Sequence, residues 1–343
     1  MTLPPLRYLG LTGQSSWQDL LRLLKEEAVS DIRGKPTLRQ QGSRGYWYDR
    51  YRVGDRITER YLGHDTQDLR GRLGRHDLLR ALAKDRQAER SRLVRLLRSE
   101  EYLTPDLVTG QILTDIARAG VFRLGGTIVG THAFRHYEGV LGVRIGADQA
   151  AQTNDIEIAS FERLSLVVQD QVDPAMADVF SGLEFEPLPS VDGQKVWRWR
   201  QSRQQTLVEF LPPSFSDEQG LRDLPALGVS AQSLHFLKYL IAKPLTVPLL
   251  YRAGALIQIQ IPRPERFAIH KLIVSERRRE TDAIQKAQKD RSQAAFLIHV
   301  LAEEHPHALS EAHRDALEKG SAWRNAIAAA LLRLPETAKQ LQV

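Results

Sequence analysis

The chain has 343 residues, 42% hydrophobic and 26% charged, and no cysteine, which excludes disulfides, thiolate metal sites and thiol nucleophiles. No run approaches the roughly 18 apolar residues of a bilayer span, and the length suits two or three globular domains. The net charge of +6 is uneven: residues 1–120 carry 22 Lys+Arg against 16 Asp+Glu, and the rest balances at 26 of each. A basic N-terminal third suits a nucleic-acid partner, RNA included, or equally a solvated Arg-rich helix surface. The opening MTLPPLRYLG lacks the basic-then-apolar layout of a signal peptide, so a cytoplasmic protein is the expectation.

In chain order, residues 15–29 (SSWQDLLRLLKEEAV) set a Ser pair before an amphipathic leucine pattern, which predicts a capped helix. Gly45 to Gly63 alternates aromatic or β-branched residues with charged ones around Val53-Gly54-Asp55-Arg56, a predicted β-hairpin. Its Tyr46, Trp47, Tyr48, Tyr51 and Tyr61, interleaved with Arg, either contact phosphates and bases or dock on adjacent helices. Gln67 to Glu101 predicts one long charged helix, or two broken near Gly74.

After Thr104-Pro105 the pattern DLVTGQILTDIARAG is helical, and VFRL reads as a strand ending in Gly125-Gly126. A helix is expected from there through Tyr137, then a strand at Asn154 to Ile158. LSLVVQ predicts a strand, PAMADVFSGL a helix, and Trp197–Arg200 with Gln205–Leu211 two more strands. A short helix at Leu234–Ile241, a strand at Ala255–Ile261 and three or more helices from Arg266 onward complete the chain.

The informative stretch is Val121 to Ser160. Strand side chains alternate between faces, so Asp155 and Glu157 share one face about 7 Å apart, with Ile156 and Ile158 behind them. Mg²⁺ takes one or two carboxylates plus substrate phosphates. A glycine turn running into a helix offers backbone N–H groups to such phosphates. Together these outline a phosphate-and-metal site.

Leu124-Gly125-Gly126 followed by Asp155-Ile156-Glu157 resembles the signature of the nucleotidyltransferase superfamily, the DNA-polymerase-β-like fold. GGTIVGTHAF, LGVR, TNDIEIA, RFAIHKLIVSERR and KAQKDRSQA resemble an uncharacterised bacterial nucleotidyltransferase-like family across roughly residues 105–300. The resemblance implies an α/β (α+β) fold: a mixed sheet with flanking helices over 105–265, after a basic helix-and-hairpin region at 1–104 and before a helical region at 266–343. It implies metal-dependent transfer of a nucleoside monophosphate from an NTP, ATP among them, to a hydroxyl on RNA, a protein or a small molecule, as in toxin-like relatives.

By the same resemblance, Asp155 and Glu157 would bridge two Mg²⁺ or Mn²⁺ ions, with Glu209 in TLVEFLPP as the third carboxylate. Gly125, Gly126, Thr127 and Lys271 would contact the nucleotide, Lys271 from a helix start. The plain reading of Thr127 is a helix N-cap. Arg144 and Thr153 are candidates for phosphate, and Arg277, Arg278 and Arg279 for the acceptor path. The chain departs from the superfamily pattern in the 30 residues separating Gly125 from Asp155, and in Glu where Asp is commoner at 157 and 209. The alternative is a catalytically degenerate module of the same fold that binds nucleic acid or nucleotide without turnover.

Overall fold

The computed structural model describes residues 5–28, 32, 34–42, 44–53, 56–146, 150, 155–161, 171–189, 195–203, 205–214, 220–251, 257–279 and 283–341. It has a central mixed sheet flanked by helices, an N-terminal helix-and-strand region and a largely helical C-terminal region. The expected strand at LSLVVQ and the candidate Thr153 lie outside the described residues.

Helix α1 (Leu11–Ala28) precedes three antiparallel strands, β1 (Lys35–Gln41), β2 (Arg44–Val53) and β3 (Arg56–His64). The predicted hairpin is thus the last two strands of a three-stranded sheet, because KPTLRQQ adds along its free edge. Helices α2 (Gln67–Ala81) and α3 (Ala83–Ser99) meet at Leu82, so Gly74 is interior to a helix and does not break it. Leu9, Trp17 and Leu20 join Leu93 and Leu97 in one core with the central sheet, and Trp17 stacks on Tyr102 at 5.9 Å.

Helix α4 (Leu107–Ala119) is defined at both ends by its sequence. Asp106 accepts from the Val108 and Thr109 amides at 2.9 Å, and Gly120 closes it in the left-handed region at φ 99°. VFRL then departs from its expected strand. Residues 121–125 form tight turns, with the Gly125 amide bonded to Phe122 O and the Gly126 amide to Val121 O. The strand β4 is Thr127–Val129, and helices α5 (Gly130–Arg135) and α6 (Tyr137–Leu141) follow.

The central sheet is completed by β5 (Asp155–Ala159), β6 (Phe185–Pro189), β7 (Val196–Gln201) and β8 (Leu207–Leu211). Its order is β4-β5-β8-β7-β6, with β5 and β8 parallel and the other neighbours antiparallel. Ile156, Ile158, Val208, Phe210 and Trp199 bury one face, and Phe180 stacks on Trp199 at 4.7 Å. The alternating residues are left on the other face, as a period of two requires. Two antiparallel strand pairs follow, Leu221–Leu224 with Val229–Gln232 and Leu245–Leu249 with Ile257–Ile261, and then the helices Pro264–Arg279 and Ile284–Glu304 pack together. Among the described residues, no helix is long and apolar enough to cross a membrane.

Candidate functional site

Register builds the acidic face. Glu157 pairs with Glu209 on the parallel neighbour β8, with Val129 on β4, and Glu209 pairs in turn with Arg198 on β7. Asp155 stands two residues before Glu157 and so shares its face, one row along the sheet. Asp155 and Glu157 on β5 and Glu209 on β8 thus lie on one face of neighbouring strands. The Arg198 guanidinium stands 3.8 Å from Glu209 and 4.2 Å over the Trp197 ring.

The electrostatics follow from that crowding. Burial, and next the Glu157 carboxylate, hold the Glu209 carboxyl above its usual range; Arg198 opposes, and Asp155 pushes the same way. Lys286, at the start of helix Ile284–Glu304, also acts to lower it. Half-buried Lys289, one turn on, is depressed, chiefly by burial and then by Lys271, while Asp290 and Glu157 pull it upward. Lys286 and Lys289 are thus within electrostatic reach of the acids on the sheet.

The glycine against the acids is not the expected one. A Cβ on Gly130 would stand 2.1 Å from Glu157 Oε2, and Gly130 has φ +66°. Gly130 ends β4 and begins α5, so the strand–glycine–helix arrangement exists, displaced from Gly125 and Gly126. Those two make the preceding turn: Gly125 has φ +89°, and a Cβ on Gly126 would meet Val121 Cγ1 at 2.5 Å. Thr127 is a buried strand residue whose hydroxyl bonds Gly125 O at 3.3 Å, so it is not a helix N-cap.

Lys271 lies two turns inside Pro264–Arg279 rather than at its start. It is buried and bonded to Asp290, which also accepts from Arg278 at 2.6 Å. Its neighbours hold it in the structure, and the more open cation within electrostatic reach of Glu157 is Lys289. Arg144 is occupied with the carbonyls of Glu100 and Glu101. Arg277 lies 5.1 Å over the Phe236 ring, and Arg279 bonds Glu276 at 2.8 Å. Gly130, Lys286 and Lys289 were not singled out by sequence reasoning, although GGTIVGTHAF and KAQKD already belonged to stretches noted for their likeness.

Among the described residues, no group of three or more His, Asp or Glu side chains is close enough to hold a metal ion alone. The three carboxylates share a face without closing into the expected three-ligand set. The face does suit a cation held by one or two of them with nucleotide phosphates filling the shell, the usual manner of Mg²⁺. A cation there would relieve the Glu157 repulsion that adds to burial in raising Glu209. A cleft of about 770 Å³ lies elsewhere, lined by Phe185 and Trp199 of the sheet and Phe180 of the helix Met176–Gly182.

A family model described as nucleotidyltransferase matches residues 108–318, and the chain belongs to that family. A second, described as a domain of unknown function, matches residues 15–71. No curated protein matches. The chain is also similar, at 11% identity and TM-score 0.37, to the crystal structure of an antigenic nucleotidyltransferase-like protein from Paracoccidioides brasiliensis. That likeness covers 70% of this chain and 94% of the other.

Proposed function

We propose that this member of the nucleotidyltransferase family is a nucleotide-recognition module that binds a nucleoside triphosphate between its acidic sheet face and the start of helix Ile284–Glu304. The observation that carries the reading is the in-register Glu157–Glu209 pair on one sheet face, with Lys286 and Lys289 within electrostatic reach. Lysines suit the phosphates as compact charges. The carboxylates suit Mg²⁺ or Mn²⁺ arriving with the nucleotide.

Titration with fluorescent ATP, GTP, CTP and UTP, with and without Mg²⁺ or Mn²⁺, tests it. Saturable binding that strengthens with the cation and weakens about tenfold in Lys289→Ala, the loss of one charge-assisted contact, is expected. No binding of any of the four overturns it.

A second reading, transfer of the nucleoside monophosphate to a hydroxyl acceptor, is favoured by the in-register Glu157–Glu209 pair with Asp155 beside it. When bound, the cation would supply charge neutralisation at the phosphates. Asp155, Glu157 and Glu209 would hold and orient it. Incubating each labelled NTP and Mn²⁺ with total RNA, protein extract or small hydroxyl compounds tests this reading. Label transfer that disappears in Asp155→Ala supports transfer, and nucleotide binding without transfer to any acceptor leaves the module.

A further inference from the structure

The three-stranded sheet near the N-terminus carries its aromatic residues in two separate sets. Trp47 and Asp49 serve the inner face: the Trp47 indole donates to Asp65 at 2.9 Å, and buried Asp49 accepts from the Gly34 amide at 2.8 Å. The alternate residues of β2 point the other way. Across that face the rows run Arg39–Tyr46–His64, Thr37–Tyr48–Tyr61 and Lys35–Arg50–Glu59. The register shift opposite Trp47 and Tyr48 lets Tyr61 and His64, three residues apart, share it.

Four rings thus touch only at the outer surface. Tyr46 meets His64 at 4.9 Å and Tyr61 at 6.4 Å, and Tyr61 meets Tyr48 at 5.6 Å. The Arg39 guanidinium lies 5.4 Å over Tyr48. Tyr61 is 50% exposed, and none of Tyr46, Tyr48 and Tyr61 belongs to the hydrophobic core of the described residues. Lys35, Arg39, Arg44 and Arg50 are exposed around them, while Glu59, paired with Arg39 at 2.7 Å and lying 3.8 Å from Arg50, is the acid in those rows. The face is cationic and its centre is aromatic.

We propose that this face binds single-stranded nucleic acid, its bases stacking on Tyr46, Tyr48, Tyr61 and His64 and its phosphates meeting Lys35, Arg39, Arg44 and Arg50. Only unpaired bases can present π-faces to a row of rings, because a duplex keeps them stacked on one another. The surrounding positive charge selects a phosphate backbone. This inference stands on the N-terminal sheet and is independent of the nucleotide reading of the central one.

Fluorescence anisotropy of the full chain with labelled oligomers of about twelve nucleotides is the test, using RNA, DNA of the same sequence, and the RNA duplex. Binding of either single strand, much weaker binding of the duplex, and a loss of affinity between about 50 and 200 mM salt are expected. A preference for RNA over DNA would place a 2′-hydroxyl contact on the face. Tyr61→Ala, at a half-exposed position, should weaken binding about tenfold or more with the melting temperature unchanged, and Tyr61→Phe should retain it. Arg39→Gln should flatten the salt dependence. Three results overturn the proposal: no single-strand binding, wild-type affinity in both Tyr61→Ala and Tyr48→Ala, or a dimer in sedimentation that Tyr61→Ala dissolves.

Discussion

Glu157 and Glu209 are in-register partners on adjacent parallel strands, so two carboxylates project from one row of the sheet. Nothing in β pairing favours like charges side by side, and the Glu209 carboxyl is raised first by burial and then by Glu157. The sign of its effect on stability follows directly. Below the ordinary value of 4.5 the group is protonated whether folded or unfolded, and it contributes nothing. Above its raised value the native state carries a penalised carboxylate that the unfolded chain does not. Glu209→Gln should therefore raise the melting temperature at pH 8 and leave it unchanged at pH 4. The ion pair to Arg198, long at 3.8 Å and partly exposed, is too weak to reverse this. Added Mn²⁺ should stabilise the wild type and not the variant. Melting curves at the two pH values check both statements, and a variant less stable at pH 8 would contradict the first.

Gly130 provides a sharper local test. An alanine there takes a left-handed conformation, costing about 1–2 kcal/mol, and its Cβ strikes Glu157 Oε2. Gly130→Ala should lose at least that much in urea denaturation and also weaken nucleotide binding, since Glu157 must move. Gly74→Ala is the contrast. It lies inside a helix with open space around the added Cβ, and should gain about 0.5–1 kcal/mol without touching binding. Equal effects of the two substitutions would refute the placement of Gly130 against the acid.

These glycines also mark what one sequence can reveal. The Asp155–Ile158 alternation and the LVEFL strand were legible because a two-residue period fixes which side chains share a face. Parallel pairing then needed only β8 to lie beside β5. The hairpin was legible for the same reason, although its third strand, KPTLRQQ, has little apolar pattern to announce it. VFRL was misleading because four mostly apolar residues suit a buried turn as well as a strand. What decides is Gly120 and Gly125, whose positive φ folds the segment back on α4. Lys271 was beyond local reading, because its partner Asp290 is 19 residues away on another helix. Lys286 and Lys289 likewise gain meaning only from where the helix Ile284–Glu304 docks.

Lys271 and Lys289 should separate stability from binding. Asp290 is fully buried between Lys271 and Arg278. Removing one partner of a buried pair costs about 3–5 kcal/mol, and Arg278 keeps Lys271→Met near the lower end. Lys289→Ala should cost less than about 1 kcal/mol while weakening nucleotide binding. Urea denaturation and nucleotide titration of both variants measure the division. If Lys271→Met leaves stability intact, the buried triad is misassigned.

His136, like His270, works against the fold in acid. It is buried between α5 and α6, and burial, aided by His132 and Arg135, pushes it down to about 3 from 6.5. Between those values the unfolded chain binds a proton that the native state refuses, so stability falls as pH drops through that window. The slope from this one group is about 1.4 kcal/mol per pH unit well below 6.5, or about 1.5 kcal/mol between pH 6.5 and 5. Glu138 and Glu265, raised by burial, act in the opposite direction, so the wild type alone gives only the sum. Urea denaturation of His136→Gln beside the wild type isolates the histidine: the variant should lose less stability over that interval by about that amount. Parallel losses in the two proteins would mean that the imidazole is protonated in the folded state.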